Sequence, residues 1–80
     1  MYYVYVLKSP KQFYIGSTSD LRRRFEEHKA GKSKSTKGRG PWKIVYYEAS
    51  QSIKDALKRE RYLKTAWGRR YIKSRLEHSN

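Results

Sequence analysis

The sequence predicts an α+β chain with the element order β-β-α-β-α-α. Two short runs of β-branched and aromatic residues sit near its start with turn residues between them, and a third follows a glycine-rich stretch. Apolar residues at helical spacing fill the segments between and after these runs.

Residues 2–7 alternate, with Tyr3, Tyr5 and Leu7 on one side and Tyr2, Val4 and Val6 on the other, which is the period of a strand. Ser9-Pro10-Lys11-Gln12 supplies turn chemistry and Phe13-Tyr14-Ile15-Gly16-Ser17 resumes the same composition, so the two runs form an antiparallel hairpin. Parity then puts Val4, Val6, Phe13 and Ile15 on the buried face. Tyr3, Tyr5, Tyr14 and Gly16 share the opposite face, where the glycine is expected to leave room for a ligand to approach the backbone.

Thr18-Ser19-Asp20 offers N-cap oxygens, Leu21, Arg24, Phe25 and His28 recur at helical spacing, and Gly31 closes the segment, which gives a helix over about 20–30. From Gly31 to Gly40 the chain consists of glycine, serine, threonine and cations, the composition of a basic, mobile loop. Trp42 to Glu48 contains Ile44-Val45-Tyr46-Tyr47 and reads as the third strand. It is expected beside the first, although the loop is long enough to reach either edge. Ser52-Ile53-Lys54-Asp55 matches a capping box, and Ile53, Ala56, Leu57, Leu63 and Trp67 mark an amphipathic helix of about four turns that Gly68 ends or kinks. Arg69 to Glu77 reads as a short terminal helix, and His78-Ser79-Asn80 is expected to fray.

The whole chain, 1–80, is read as one domain, since 80 residues leave no room for a second and no linker is visible. Without cysteine there is neither a disulfide framework nor a thiolate zinc site. The first residues lack the basic flank and long apolar run of a signal peptide, and no stretch approaches the roughly 20 residues of a membrane span, so a soluble, cytoplasmic protein is expected. High net charge alone would suggest disorder. Eight tyrosines, two tryptophans and two phenylalanines oppose that, because they carry enough apolar area for a core. A formal charge of +13 on so small a body favours a polyanionic partner whose counterions it would displace, and nucleic acid is the leading class.

Glu60 interrupts the apolar stripe of the later helix. It can serve as the partner of Lys64 at i,i+4 or of a neighbouring arginine, or as a metal ligand, a single carboxylate at a basic groove being suited to Mg²⁺. Arg24 and His28 share the inward face of the first helix, Arg24 either snorkelling over apolar surface or reaching a site, and His28 either packed or catalytic. Tyr5 and Tyr14 project from one face of the hairpin. Lys32, Lys34, Lys37, Arg39 and Lys43 form an acid-free run that suits either solvation or contact with a phosphate backbone, and Lys64 is a further candidate for that contact.

Tyr3-Val4-Tyr5, Tyr14-Ile15-Gly16, Asp20-Leu21-x-x-Arg24, His28 and Glu60, in that order and spacing, resemble the GIY-YIG nuclease superfamily. The likeness is greatest to its small, stand-alone prokaryotic members and runs from Tyr2 to about Trp67. It implies a three-stranded antiparallel sheet flanked by helices, with a shallow site for one divalent metal ion. Tyr5 and Tyr14 fall on the tyrosines of the two triplets, Arg24 on the helix arginine, Glu60 on the metal-binding glutamate, and His28 where members carry histidine or tyrosine. Tyr3 replaces the first glycine of the family motif, Ser17 stands where excision-repair relatives have lysine, and Ile72 lies near the offset of a polar residue those relatives carry.

The activity implied is a Mg²⁺- or Mn²⁺-dependent DNA endonuclease, in DNA repair or the processing of branched or damaged DNA, with RNA as a further substrate class and recruitment by another protein as a further expectation. Glu60 would hold the metal, Arg24 the phosphate oxygens, and Tyr5 or Tyr14, its proton affinity lowered by cation and metal, would orient or deprotonate the water with His28 assisting. The alternative is a nucleic-acid-binding module with a vestigial nuclease site, and a third reading is a small basic RNA-associated structural protein.

Overall fold

The computed structural model describes residues 1–76. Its elements are β1 (Tyr2–Lys8), β2 (Phe13–Thr18), α1 (Leu21–Lys29), β3 (Lys43–Ser50), α2 (Ile53–Leu63) and α3 (Ala66–Arg75). The strands form one antiparallel sheet in the order β2-β1-β3, so the expected β-β-α-β-α-α order holds and the third strand does lie beside the first.

Ser9 sets the hairpin. Its hydroxyl accepts hydrogen bonds from the Lys11 and Gln12 amides, each at 3.2 Å, and its own amide donates to the Gln12 carbonyl at 2.9 Å. The resulting register pairs Val6 with Ile15, Tyr5 with Gly16 and Val4 with Ser17, which is the parity read from the sequence. A register shift between Val6 and Leu7 marks an irregularity in the pairing of β1 with β3.

As the central strand, β1 is buried on both faces. On one face Val4, Val6 and Ile15 pack with Ala56, Leu63 and Ile72 from α2 and α3. On the other, Tyr5, Leu7 and Trp42 pack with Tyr14, Leu21 and Phe25. The face expected to await a ligand is therefore largely a second core, and Phe13, expected inside, is 41% exposed. Strand β2 is an edge, and a side chain at its end need not be covered.

Asp20 caps α1 by accepting from the Arg23 amide at 3.1 Å, and Gly31, just beyond, adopts φ +74°, a left-handed conformation that suits glycine. Ser52 caps α2 through the Asp55 amide, while the Ser52 amide itself turns to the Ser50 hydroxyl, so the capping box is half formed.

Four expectations about the later helices are corrected. Helix α2 stops at Leu63 rather than running to Trp67, because Thr65 caps a new helix by accepting from the Gly68 amide. Gly68 is buried inside α3, where a Cβ would run into the Tyr62 carbonyl and the Leu63 backbone. It permits the two helices to touch and breaks neither. Ile53, Leu57 and Trp67 are exposed, and the inward stripe of α2 consists of Ala56, Arg59, Glu60 and Leu63. The terminal helix, Ala66–Arg75, likewise begins three residues before the expected Arg69, and the expected end at Glu77 falls outside the described residues. The expected fraying of His78-Ser79-Asn80 falls outside the described residues.

The glycine-rich segment after α1 is also corrected. It is tethered at Thr36, which is 1% exposed, and Ser33 is buried beside it. The Trp42 indole donates to the Thr36 carbonyl at 3.0 Å, and Gly38 supplies a second left-handed turn at φ +75°. Among the described residues no helix is long and apolar enough to cross a membrane.

Candidate active site

The inward stripes of α1 and α2 reach opposite faces of the sheet, and both come to the exposed edge formed by β2. From α1, His28 enters the core next to Tyr5: its Nε2 lies 2.8 Å from the Tyr5 hydroxyl and its Nδ1 lies 2.7 Å from Thr36 Oγ1. Arg24, one turn earlier, stands close enough to the Tyr5 hydroxyl to draw its proton affinity down. A neutral imidazole donates from one ring nitrogen and accepts at the other, so His28 links the Tyr5 and Thr36 hydroxyls in one hydrogen-bonded chain.

Proton affinities agree with this arrangement. Burial, with Tyr14 beside it, pushes the Tyr5 phenol up to about 12, an effect that Arg24 only partly opposes. Arg24 does lower the proton affinity of Tyr5, as expected of a neighbouring cation, but burial outweighs it, and at neutral pH the phenol keeps its proton. Burial, with Arg24 close by, holds His28 below its ordinary value and therefore neutral.

Tyr14 completes the aromatic group. Its ring centroid stands 6.2 Å from that of Tyr5, 4.9 Å from that of His28 and 6.5 Å from that of Trp42. Unlike Tyr5 it is only half-buried. The space beside Gly16 that was expected to admit a ligand is filled by the Tyr5 ring.

From the other face α2 contributes Glu60, whose side chain retains 18% exposure. Ser17 donates to its Oε1 at 2.6 Å, and Lys64 Nζ lies 2.7 Å from its Oε2. Burial raises the proton affinity of this carboxyl. The Lys64 ammonium, the Ser17 hydroxyl and Arg61 more than offset that, so Glu60 lies below the ordinary carboxylate value and is ionised at neutral pH. The i,i+4 partner anticipated for Glu60 is present, yet the carboxylate is also near enough to Tyr5 to act on its proton affinity.

Tyr5, Tyr14, Arg24, His28 and Glu60 therefore converge along the β2 edge around Gly16, although they come from four different elements. Arg24 is one-third exposed and carries a 3.0 Å ion pair to Glu27. Among the cations named from the sequence, Lys64 alone belongs to this group through Glu60. Lys32, Lys34, Lys37 and Arg39 are exposed on the tethered segment, and Lys43 is exposed at the start of β3.

Sequence reasoning missed Thr36 and the Trp42 indole as the supports behind His28, and it treated Ser17 as a departure from a motif where the structure makes it a ligand of the carboxylate. Strand parity could have found Ser17, which shares the face of Val4 and Ile15 below α2. For Thr36, lying in a polar segment without period, the sequence carries no signal.

A hairpin carrying two tyrosines, a helix carrying an arginine and a later helix carrying one glutamate meet at one sheet edge, in accord with the nuclease fold and nucleic-acid substrate that the family match implies. The chain matches the GIY-YIG catalytic domain over residues 1–73 and belongs to that family.

Among its relatives, the UPF0213 protein CPE1444 of Clostridium perfringens is 42% identical over 66 residues, covering 80% of this chain and 71% of that one. A UPF0213 protein of Syntrophus aciditrophicus is 43% identical over 65 residues, covering 78% and 75%. The fold matches the solution NMR structure of the UPF0213 protein BH0048 from Bacillus halodurans with a TM-score of 0.57 and 34% identity, over 91% of this chain and 82% of that one.

Proposed function

We propose that the protein is a divalent-metal-dependent endonuclease that hydrolyses phosphodiester bonds in DNA, with RNA carrying the same reactive group. The observation that supports this most is the placement of an ionised, partly exposed Glu60 at the same sheet edge as Arg24 and the two phenols. A purely structural carboxylate would be served by Lys64 alone.

The donor set fits a hard cation. A single partly exposed carboxylate suits Mg²⁺ or Mn²⁺, which take few protein ligands and keep water and phosphate oxygens. Glu60 would hold the ion, with the Ser17 hydroxyl fixing the carboxylate. When bound, the metal supplies charge neutralisation at the scissile phosphate and at the departing oxygen.

The remaining work falls to this chain's own side chains. Arg24, its guanidinium steadied by Glu27 and Tyr5, hydrogen-bonds the non-bridging oxygens as negative charge builds on them. Tyr14, the less buried phenol, orients the attacking water. That water bonds to phosphorus, the bond to the 3′ oxygen breaks, and the proton of the water ends, through solvent, on the departing oxygen. Tyr5 holds Arg24 and is itself held by His28, so these two position the site. The DNA processed would be DNA under repair or of branched or damaged form, with a recruiting protein to supply the target choice.

Plasmid nicking with and without Mg²⁺, wild type beside Glu60→Gln, tests the proposal. Nicking by the wild type in Mg²⁺ and its loss in the variant, with low-salt DNA binding retained, is expected. Equal nicking by both proteins would overturn the role of Glu60. DNA binding with no nicking under either condition would leave a binding module with a vestigial site.

A further inference from the structure

A cleft of about 630 Å³ opens between β2 and α3, on the sheet face opposite His28. Ile15, Ile72 and Phe13 line it together with Lys64, Arg69 and Lys73, and among the described residues no acidic side chain does. Phe13 keeps 41% of its surface exposed at the end of an edge strand.

We propose that this cleft is a nucleic-acid subsite in which one unstacked base, next to the scissile phosphate, lies against Phe13 and the apolar floor while the adjoining phosphates meet Lys64, Arg69 and Lys73. The inference rests on reading the neighbouring cluster as a nuclease site. Tyr14 and Lys64 connect the two, since Tyr14 lines the cleft and stacks near Tyr5, and Lys64 lines the cleft and pairs with Glu60. A strand whose phosphate sits between Arg24 and Glu60 is thereby led along β2 toward Phe13.

The chemistry of the cleft selects this occupant. An apolar floor inside a ring of cations matches a ligand with a flat apolar face and a polyanionic backbone, which is a nucleotide strand. A base within a duplex has its faces covered by its neighbours, so only a base released from the stack exposes the surface that the floor would cover. Lys8, with its ammonium 5.9 Å from the Phe13 ring centroid, adds a further cation at this end.

The test uses the full chain in chelator, so that cleavage plays no part, and measures by fluorescence anisotropy the binding of a single strand of about ten nucleotides, an abasic strand of the same phosphate count, and a blunt duplex. The intact strand is expected to bind at least about fivefold more tightly than the abasic one. Phe13→Ala should lose that advantage while leaving abasic and duplex affinities unchanged, and Phe13→Tyr should restore it. Arg69→Ala should weaken all three ligands and lower their salt dependence. A Phe13→Ala protein with a wild-type unfolding midpoint that loses nothing on the intact strand, or loses equally on intact and abasic strands, would overturn the subsite and leave the nuclease reading untouched. Cleavage that does not depend on Glu60 would sink the metal-dependent reading without altering these affinities.

Discussion

The Tyr5 hydroxyl occupies the space that a side chain at position 16 would need: a Cβ on Gly16 would stand 2.7 Å from that oxygen and 2.9 Å from Cζ of the same ring. The two residues are register partners on β1 and β2, so the clash is built into the sheet. Tyr5 cannot retreat, being 1% exposed and bonded to His28. Gly16→Ala should destabilise the protein by about 1–3 kcal/mol, read from denaturant unfolding. It should also reduce nicking further than the stability loss explains, because the displaced phenol no longer holds Arg24.

His28 gives the site a pH dependence of definite sign. Its native proton affinity is held below the ordinary value of 6.5 by burial, so as pH falls through that value the unfolded chain takes up a proton before the native one does. Stability contributed by the neutral ring is therefore complete above 6.5 and is lost as pH drops from there through the depressed native value. The lowered carboxylates, Glu27, Glu48 and Glu60, act only nearer their own range around 4.5. Unfolding free energies measured between pH 7 and 5 should fall in the wild type and be flatter in His28→Gln.

Ser17→Ala isolates the hydroxyl that supports Glu60. Removing the 2.6 Å hydrogen bond takes away one of the influences that lower the carboxyl proton affinity, while Lys64 remains. The acid limb of the pH–rate profile for nicking should move to higher pH, with plateau activity falling less than in Glu60→Gln. An unmoved acid limb would separate Ser17 from the ionisation of Glu60.

The strands and the start of each of the first two helices were legible because each leaves a local trace: alternation over residues 2–7, and Asp20 and Ser52 at their caps. Polar residues on apolar stripes marked Arg24, His28 and Glu60 as unusual, and only the likeness to a family motif joined them to Tyr5 and Tyr14. What the sequence concealed was long-range. Leu57 and Trp67 fit the helical period but stay exposed, because the sheet below α2 is narrow and Thr65 starts a new helix first. The segment around Thr36 has the composition of a mobile loop. Its order comes from the His28 imidazole and the Trp42 indole, both supplied from outside it. The open tyrosine face was misread for the same reason: alternation shows which residues share a face, and only the position of α1 shows what covers it.

Gly68 sets helix propensity against packing. Alanine is favoured over glycine inside a helix by about 1 kcal/mol, so propensity alone predicts that Gly68→Ala stabilises α3. Its Cβ would instead meet the Tyr62 carbonyl and the Leu63 backbone, which cannot rotate aside as a side chain would. Packing should win, with a net loss of at least about 2 kcal/mol in urea unfolding. Leu63 and Ile72, which join the helix pair to the core, would be pulled apart, and Lys64 and Glu60 lie on the same turn.

The exposed cations of the tethered segment, Lys32, Lys34 and Lys37, have a measurable signature if they meet phosphates. Thr36 and Trp42 fix the backbone between them, so the lysines are presented from an ordered platform. Each phosphate neutralised on a duplex contributes about 0.9 to the slope of log affinity against log salt. Replacing the three lysines with glutamine should therefore lower the slope for duplex DNA by about two to three and weaken binding at low salt without regard to sequence. Because none of the three touches the carboxylate or Arg24, turnover at saturating DNA should be retained. An unchanged slope would remove this segment from the DNA path and leave the β2 edge and the α3 cations to carry it.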